Sequence, residues 1–166
     1  MASIRDQVLN AFVARLALIP TWVAELRNRV NFDAGAVPGS VAAVVYPASE
    51  QKQFANDQQY DCIYRIAVQI TCHDEDADDT LDGNGTAGSA NPYRYLDRMV
   101  TLAEKAVHTP DDWDVDGEFT RVQILGHDVL DPAPQDDGTP GDPNQREAVL
   151  HVNFTFRCQV TNPEVS

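Results

Sequence analysis

No apolar run in the chain approaches the roughly 18 residues that a membrane-spanning helix needs. Nor does a basic start followed by an apolar stretch mark a secretory leader. These absences lead us to expect a soluble protein made in a cytoplasm, with no membrane partner. Cysteine is scarce: Cys62, Cys72 and Cys158 form an odd set with no C-x-x-C spacing. That excludes the usual zinc and dithiol patterns and predicts reduced core thiols. If Cys62 and Cys72 share one strand they lie about 33 Å apart, too far to bond.

Catalytic signatures are missing as well. There is no G-x-S-x-G, no P-loop, no G-x-G-x-x-G and no H-E-x-x-H. Gly83-Asn84-Gly85 follows no strand-to-helix turn of the phosphate-cradling kind. His73, His108, His127 and His151 are scattered, and His127-Asp128 is only a neighbour pair. A lone strand histidine is more often a hydrogen-bonded rim residue than a metal ligand. The expectation is that this is not an enzyme and has no catalytic residues, because no converging set of polar groups is visible.

Basic residues are absent where acids are dense. Residues 74–90 hold six acids, 111–118 five and 131–145 four, with no Lys or Arg in any of the three. Of 26 acids and 12 bases, setting these fifteen aside leaves 11 acids against 12 bases. The net charge of −14 therefore belongs to expected loops, and the scaffold between them is near neutral. A nucleic-acid-gripping surface needs a basic footprint, so that function class is disfavoured. Arg (10) outnumbers Lys (2) and Asp (19) outnumbers Glu (7), a bias of a GC-rich genome or a salty habitat.

What the sequence does contain is alternation. Tyr60, Cys62, Tyr64, Ile66, Val68, Ile70 and Cys72 share one parity, with Asp61, Arg65, Gln69 and Thr71 on the other. This is a strand with one buried and one wetter face, about 40 Å long and placed at the sheet's centre. Ala148, Leu150, Val152, Phe154, Phe156, Cys158 and Val160 repeat the pattern, opposite His151, Asn153, Thr155, Arg157 and Gln159.

The other elements are read from period and punctuation. Ser3-Ile4-Arg5-Asp6 resembles a capping box with Asp in place of Glu. It opens a helix whose face is Ile4, Val8, Ala11, Phe12, Leu16 and Ile19, closed by Pro20. A strand is favoured over residues 22–32, and Val41 to Tyr46 reads as a short strand stopped by Pro47. Residues 48–59 read as a polar connection. Asn91-Pro92 caps a second helix with Leu96, Met99, Val100, Ala103, Ala106 and Val107 inward. Lys105 and His108 near its end suit the macrodipole. Another strand covers 119–130. The predicted architecture is one α+β domain over residues 1–166, with a short tail at 162–166. It has a mostly antiparallel sheet with two long strands, two helices on one face, and long acidic loops at 74–90 and 131–145. Loops of that length are either functional contacts or mobile solvated segments.

One local pattern suggests a metal. Asp112-Trp113-Asp114-Val115-Asp116-Gly117 matches the first half of a calcium loop, in which alternate carboxylates converge on one cation. Position 12 of such a loop should be a bidentate Glu, and here it is Gln123. The bland reading, an acidic turn entering the next strand, therefore leads. Asp112, Asp114 and Asp116 stay as the candidate metal ligands, and calcium is the one cofactor proposed. Asp78, Thr80 and Asp82-Gly83 form a poorer copy, with Ser89 in the last position. A calcium-dependent binding module would show a thermal shift that chelator reverses and that Asp114→Ala abolishes.

The order of elements resembles that of the tail terminator family of tailed bacteriophages. The resemblance rests on three places: the Ile4 to Ile19 helix and the strand pair ending Val44-Val45-Tyr46-Pro47; the 60–72 strand leading through a loop to Tyr95-Leu96-Asp97-Arg98-Met99-Val100; and residues 119–130, a Pro/Asp/Gly loop, then Arg146 to Arg157. It covers nearly the whole chain, with the 74–90 and 131–145 loops longer than the family norm. It implies a structural virion protein in which a homo-hexameric ring caps the tail tube and joins it to the head. Partners would be the tail tube protein and neck or connector proteins. DNA would pass through the centre without specific binding, with assembly in the host cytoplasm. A neighbouring neck or tail-completion protein would look nearly the same. Acidic loops at a lumen or rim would repel phosphates and let a duplex slide.

Overall fold

The computed structural model describes residues 3–26, 41–73, 94–108, 113, 121–130 and 145–162. The elements run α1 (Ile4–Ala17), β1 (Trp22–Leu26), β2 (Val41–Asn56), β3 (Gln59–His73), α2 (Arg94–His108), β4 (Arg121–Leu130) and β5 (Gln145–Gln159). The five strands form one sheet in the order β1-β2-β3-β5-β4. Only β1 and β2 are parallel; the other three pairings are antiparallel. This is an α+β fold with a mostly antiparallel sheet and two helices. The residues 74–90, 111–112, 114–118 and 131–144, and with them nearly all of the expected acidic loops, lie outside the described residues.

Helix α1 begins where the cap chemistry requires. Ser3 is extended, its hydroxyl accepts from the Asp6 amide, and the same hydroxyl donates to Asp6 Oδ2 at 2.9 Å. The helix stops at Ala17, and Pro20 sits in the turn that follows. Thr21 takes a left-handed φ of 71°, unusual for a β-branched residue. Its carbonyl accepts from the Val41 amide at 3.2 Å, which ties the turn to the start of β2.

Both helices cover the same face. Ile4, Val8, Phe12 and Leu16 of α1 and Leu96, Val100, Ala103 and Val107 of α2 join one buried cluster with Ile66, Val68 and Ile70 of β3 and Leu150, Val152 and Phe154 of β5. Helix α1 lies against β1 and β2, α2 against β3, β4 and β5, and the two helices touch. Arg15 links them: its guanidinium donates to the Ala106 carbonyl at 3.4 Å and stands 4.0 Å over the Trp113 ring. Trp113 packs on Phe12 and Phe154, with ring centroids 4.8 and 5.1 Å away.

The expectation for β2 is corrected. Pro47 does not end the strand; β2 runs on to Asn56. A register shift between Pro47 and Ser49 absorbs the residue that cannot donate to the ladder. The supposed polar connection is the outer half of a β2–β3 hairpin that turns at Asp57-Gln58. There the Asn56 side chain accepts from the Gln58 amide at 2.9 Å. Residues 51–58 are exposed on both faces, so no apolar parity marked them as strand. The sheet is mostly antiparallel, as expected, and its parallel pairing is at β1, which runs beside β2 from Trp22↔Val41 to Leu26↔Val45.

Candidate interaction surface

The sheet face away from the helices is built from the second parity of each strand. Register sets its residues in rows: Asp61 with Arg157; Ile63, Thr155 and Arg121; Arg65, Asn153 and Gln123; Ala67, His151 and Gly126; Gln69, Val149 and Asp128. The end of this face nearer the hairpin turn carries Arg65, Arg121 and Arg157 against the single acid Asp61. The opposite end carries Asp128 and Glu147. The face is therefore dipolar, basic at one end and acidic at the other.

Arg157 Nε donates to Asp61 Oδ1 at 2.9 Å across the strand pair. Arg65 is exposed, and among the described residues it makes one 3.4 Å bond, to the Asn153 side-chain oxygen. Arg121 is exposed with no ion-pair partner among the described residues. In all, the described residues hold ten Lys or Arg and nine Asp or Glu, against 12 and 26 in the full chain. The scaffold is close to neutral, and the surplus of acid lies in the segments between its elements.

A shallow basin of about 350 Å³ opens on the same face, lined by Arg65, Leu125, Gly126, His127, Asp128 and His151. It exists because β4 bulges between Ile124 and Gly126, and Gly126 there has φ +126°, a backbone conformation that side-chain-bearing residues avoid. His151 Nε2 and Asp128 Oδ2 are 3.0 Å apart. Sequence reading treated His127-Asp128 as a mere neighbour pair and missed this one, formed across 23 residues. Only the β4–β5 register, hidden by the bulge, could have revealed it. No Ser, Thr or Cys among the described residues hydrogen-bonds His151.

The remaining candidates place as follows. Asp112, Asp114 and Asp116 lie outside the described residues, and no group of three metal-binding side chains occurs among the described ones. Gln123, the twelfth position of the calcium pattern, is an exposed residue of β4 paired with Asn153. Cys62, Cys72 and Cys158 are buried free thiols. The Cys62 and Cys158 sulfurs meet at 2.6 Å, and burial together with that contact pushes the Cys62 thiol up to about 12. It is inert as a nucleophile at neutral pH.

Apolar side chains are exposed at both outer edges of the sheet. Leu18, Val23 and Leu26 are 82, 48 and 40% exposed at the β1 side, and Leu125 and Val129 are 42 and 46% exposed on β4. Phe54, 78% exposed near the hairpin turn, packs against Tyr60 with the rings tilted and their centroids 4.8 Å apart. No described helix is long and apolar enough to cross a membrane. Compared with known proteins, the chain matches no family model, and no curated protein is significantly similar to it.

Proposed function

We propose that the protein is a structural virion component, the terminator ring that caps a phage tail tube and forms the joint to the head. The observation that carries this reading is the pair of apolar edges. β1 and β4 bound opposite sides of the sheet and each exposes large hydrophobic side chains. Two different, mutually matching patches are what a head-to-tail ring requires of each subunit. Uncovered sheet edges are otherwise a liability that proteins blunt with charge or bulges. The open sheet face and the two-sided exposure of the β2–β3 hairpin add surface for the tube below and the neck above. The near-neutral scaffold keeps the acids free for a bore through which DNA slides.

The test is native mass spectrometry of the 18.3 kDa chain over a concentration series, with negative-stain imaging of the same samples. The expected result is a discrete hexamer with a central opening. A strict monomer throughout, with or without tail tubes as seeds, overturns the reading.

A further inference from the structure

We propose that Cys62 and Cys158 are a disulfide site, at which a small disulfide of the glutathione class oxidises the two thiols and ties β5 covalently to β3. The proposal is independent of the ring reading.

The strand register brings the pair together. Cys62 stands opposite Phe156 and Cys158 opposite Tyr60, so the cysteines are diagonal neighbours on the two adjacent strands. Both are fully buried on the helix-covered face, and their sulfurs meet at 2.6 Å. A covalent S–S bond measures ~2.04 Å, so the sulfurs need to approach by only ~0.6 Å. Diagonal Cα atoms are ~7–8 Å apart and a disulfide spans up to ~6.8 Å, so closing the bond draws the strands slightly together.

The pair sits where such a movement is easiest. Cys158 is one residue from the end of β5, and Cys62 is three residues from the start of β3. Beyond them the Val160 amide donates to the Gln58 carbonyl at 2.9 Å and closes the strand pair. Strand ends open locally at less cost than strand centres. Cys72 provides the contrast. It is equally buried, but it lies opposite Arg146, ~33 Å along β3 from Cys62, and can reach neither thiol.

The exchange runs in two steps. When the end of β5 opens, Cys158 gives its proton to water and its thiolate attacks one sulfur of the small disulfide. That S–S bond breaks, one small thiolate leaves and takes up a proton, and Cys158 carries a mixed disulfide. Burial and the contact with Cys158 hold the Cys62 thiol up at about 12 in the closed strand pair, so Cys62 acts second, once opening has relieved its burial. Its thiolate attacks the Cys158 sulfur, the Cys62–Cys158 bond forms, and the second small thiol departs. Two electrons pass from the cysteines to the oxidant, which ends as two thiols. The bond spans most of the chain, restricts the unfolded state accordingly, and keeps β5 from leaving β3.

The test incubates the full chain with excess oxidised glutathione. Intact mass, a peptide map after alkylation in denaturant, and the melting temperature are then read. The expected result is a loss of two hydrogens, a linked Cys62–Cys158 peptide and an alkylated Cys72. Melting should rise by about 10 °C, and dithiothreitol should reverse it. Cys72→Ala should behave as wild type, whereas Cys62→Ala should stop at a glutathione adduct on Cys158. Should a variant fail to fold, the wild-type readings decide the matter alone. Wild type that keeps both thiols alkylatable overturns the proposal, as does one that stops at a glutathione adduct. Linkage through Cys72 or between two chains also overturns it, and so does a linked chain that melts no higher than the reduced one.

Discussion

Arg5, in the first turn of α1, grips Glu50 of β2 with two parallel hydrogen bonds, Nε to Oε2 and Nη2 to Oε1, the second at 2.8 Å. The pair joins the helix layer to the sheet just past the Pro47 bulge, where β2 leaves the cover of α1. Lys52 adds a second, longer contact at 3.6 Å. Bidentate geometry and partial burial make this the surface ion pair with the strongest claim to contribute to stability. Arg5→Leu should lower the unfolding free energy by about 1–2 kcal/mol in urea denaturation.

The pair also sets an acid limit. The Arg5 hydrogen bonds hold the Glu50 carboxyl below its ordinary 4.5, against an opposing effect of burial. A depressed folded value means the stabilising contribution is complete above the ordinary carboxylate value and is lost as pH falls through the lower, folded one. Below about pH 4.5, wild type should lose stability more steeply than Glu50→Gln. Melting temperatures of both proteins between pH 3 and 7 check this, and parallel curves would refute it.

Ile66 is fully buried, opposite Val152 on the core face of the two central strands. Ile66→Ala should cost about 2–5 kcal/mol by lost transfer energy and the cavity left behind. Ile66→Asp places an unpaired charge there and should give insoluble protein. Soluble, cooperatively melting Ile66→Asp would contradict the packing described.

Trp113 is wedged between Phe12 and Phe154 under Arg15, yet its indole N–H is buried with no hydrogen-bond partner among the described residues. Trp113→Ala should cost about 2–4 kcal/mol, most of it lost aromatic packing. Trp113→Phe keeps a ring and removes the orphan donor, so its cost should be about 1 kcal/mol or less. Urea titrations of the two variants distinguish packing from polarity.

Gly126 separates backbone strain from crowding. A Cβ added there meets nothing within 4 Å, yet φ is +126°. Gly126→Ala should therefore destabilise by about 1–3 kcal/mol through the backbone alone. A neutral result in thermal melts would mean that the β4 bulge relaxes without cost.

The sequence made the α+β class, the two helices and the mostly antiparallel sheet readable, because burial is one-sided wherever a helix covers a strand. The parity of Cys62, Tyr64, Ile66, Val68 and Ile70 is the parity that the core buries. Legibility ended where that asymmetry ends. The outer hairpin, residues 51–58, is wet on both faces and carried no period. Pro47 looked like a stop because a bulge, which tolerates it, leaves no local signal. Parallel pairing of β1 with β2 leaves no mark in the period of either strand. The surface was the least legible part. Arg65 and Arg121 are 56 residues apart and come to the same end of the open face only through the registers of β3 and β4 with β5.

Of the five strands β5 leaves the ribosome last, and it is not an edge. It lies between β3 and β4, with Gln59 aligned to Gln159 at one end and His73 to Gln145 at the other. Until it arrives, β4 has no partner in the sheet and the even-parity side chains of β3 lack half of their cover. The chain must hold an incomplete hydrophobic layer throughout its own synthesis and close it in one late insertion. Such a centre-last order gives high contact order and slow folding. It also makes the time between translation and closure the interval in which a nascent chain is open to a chaperone or to a wrong neighbour.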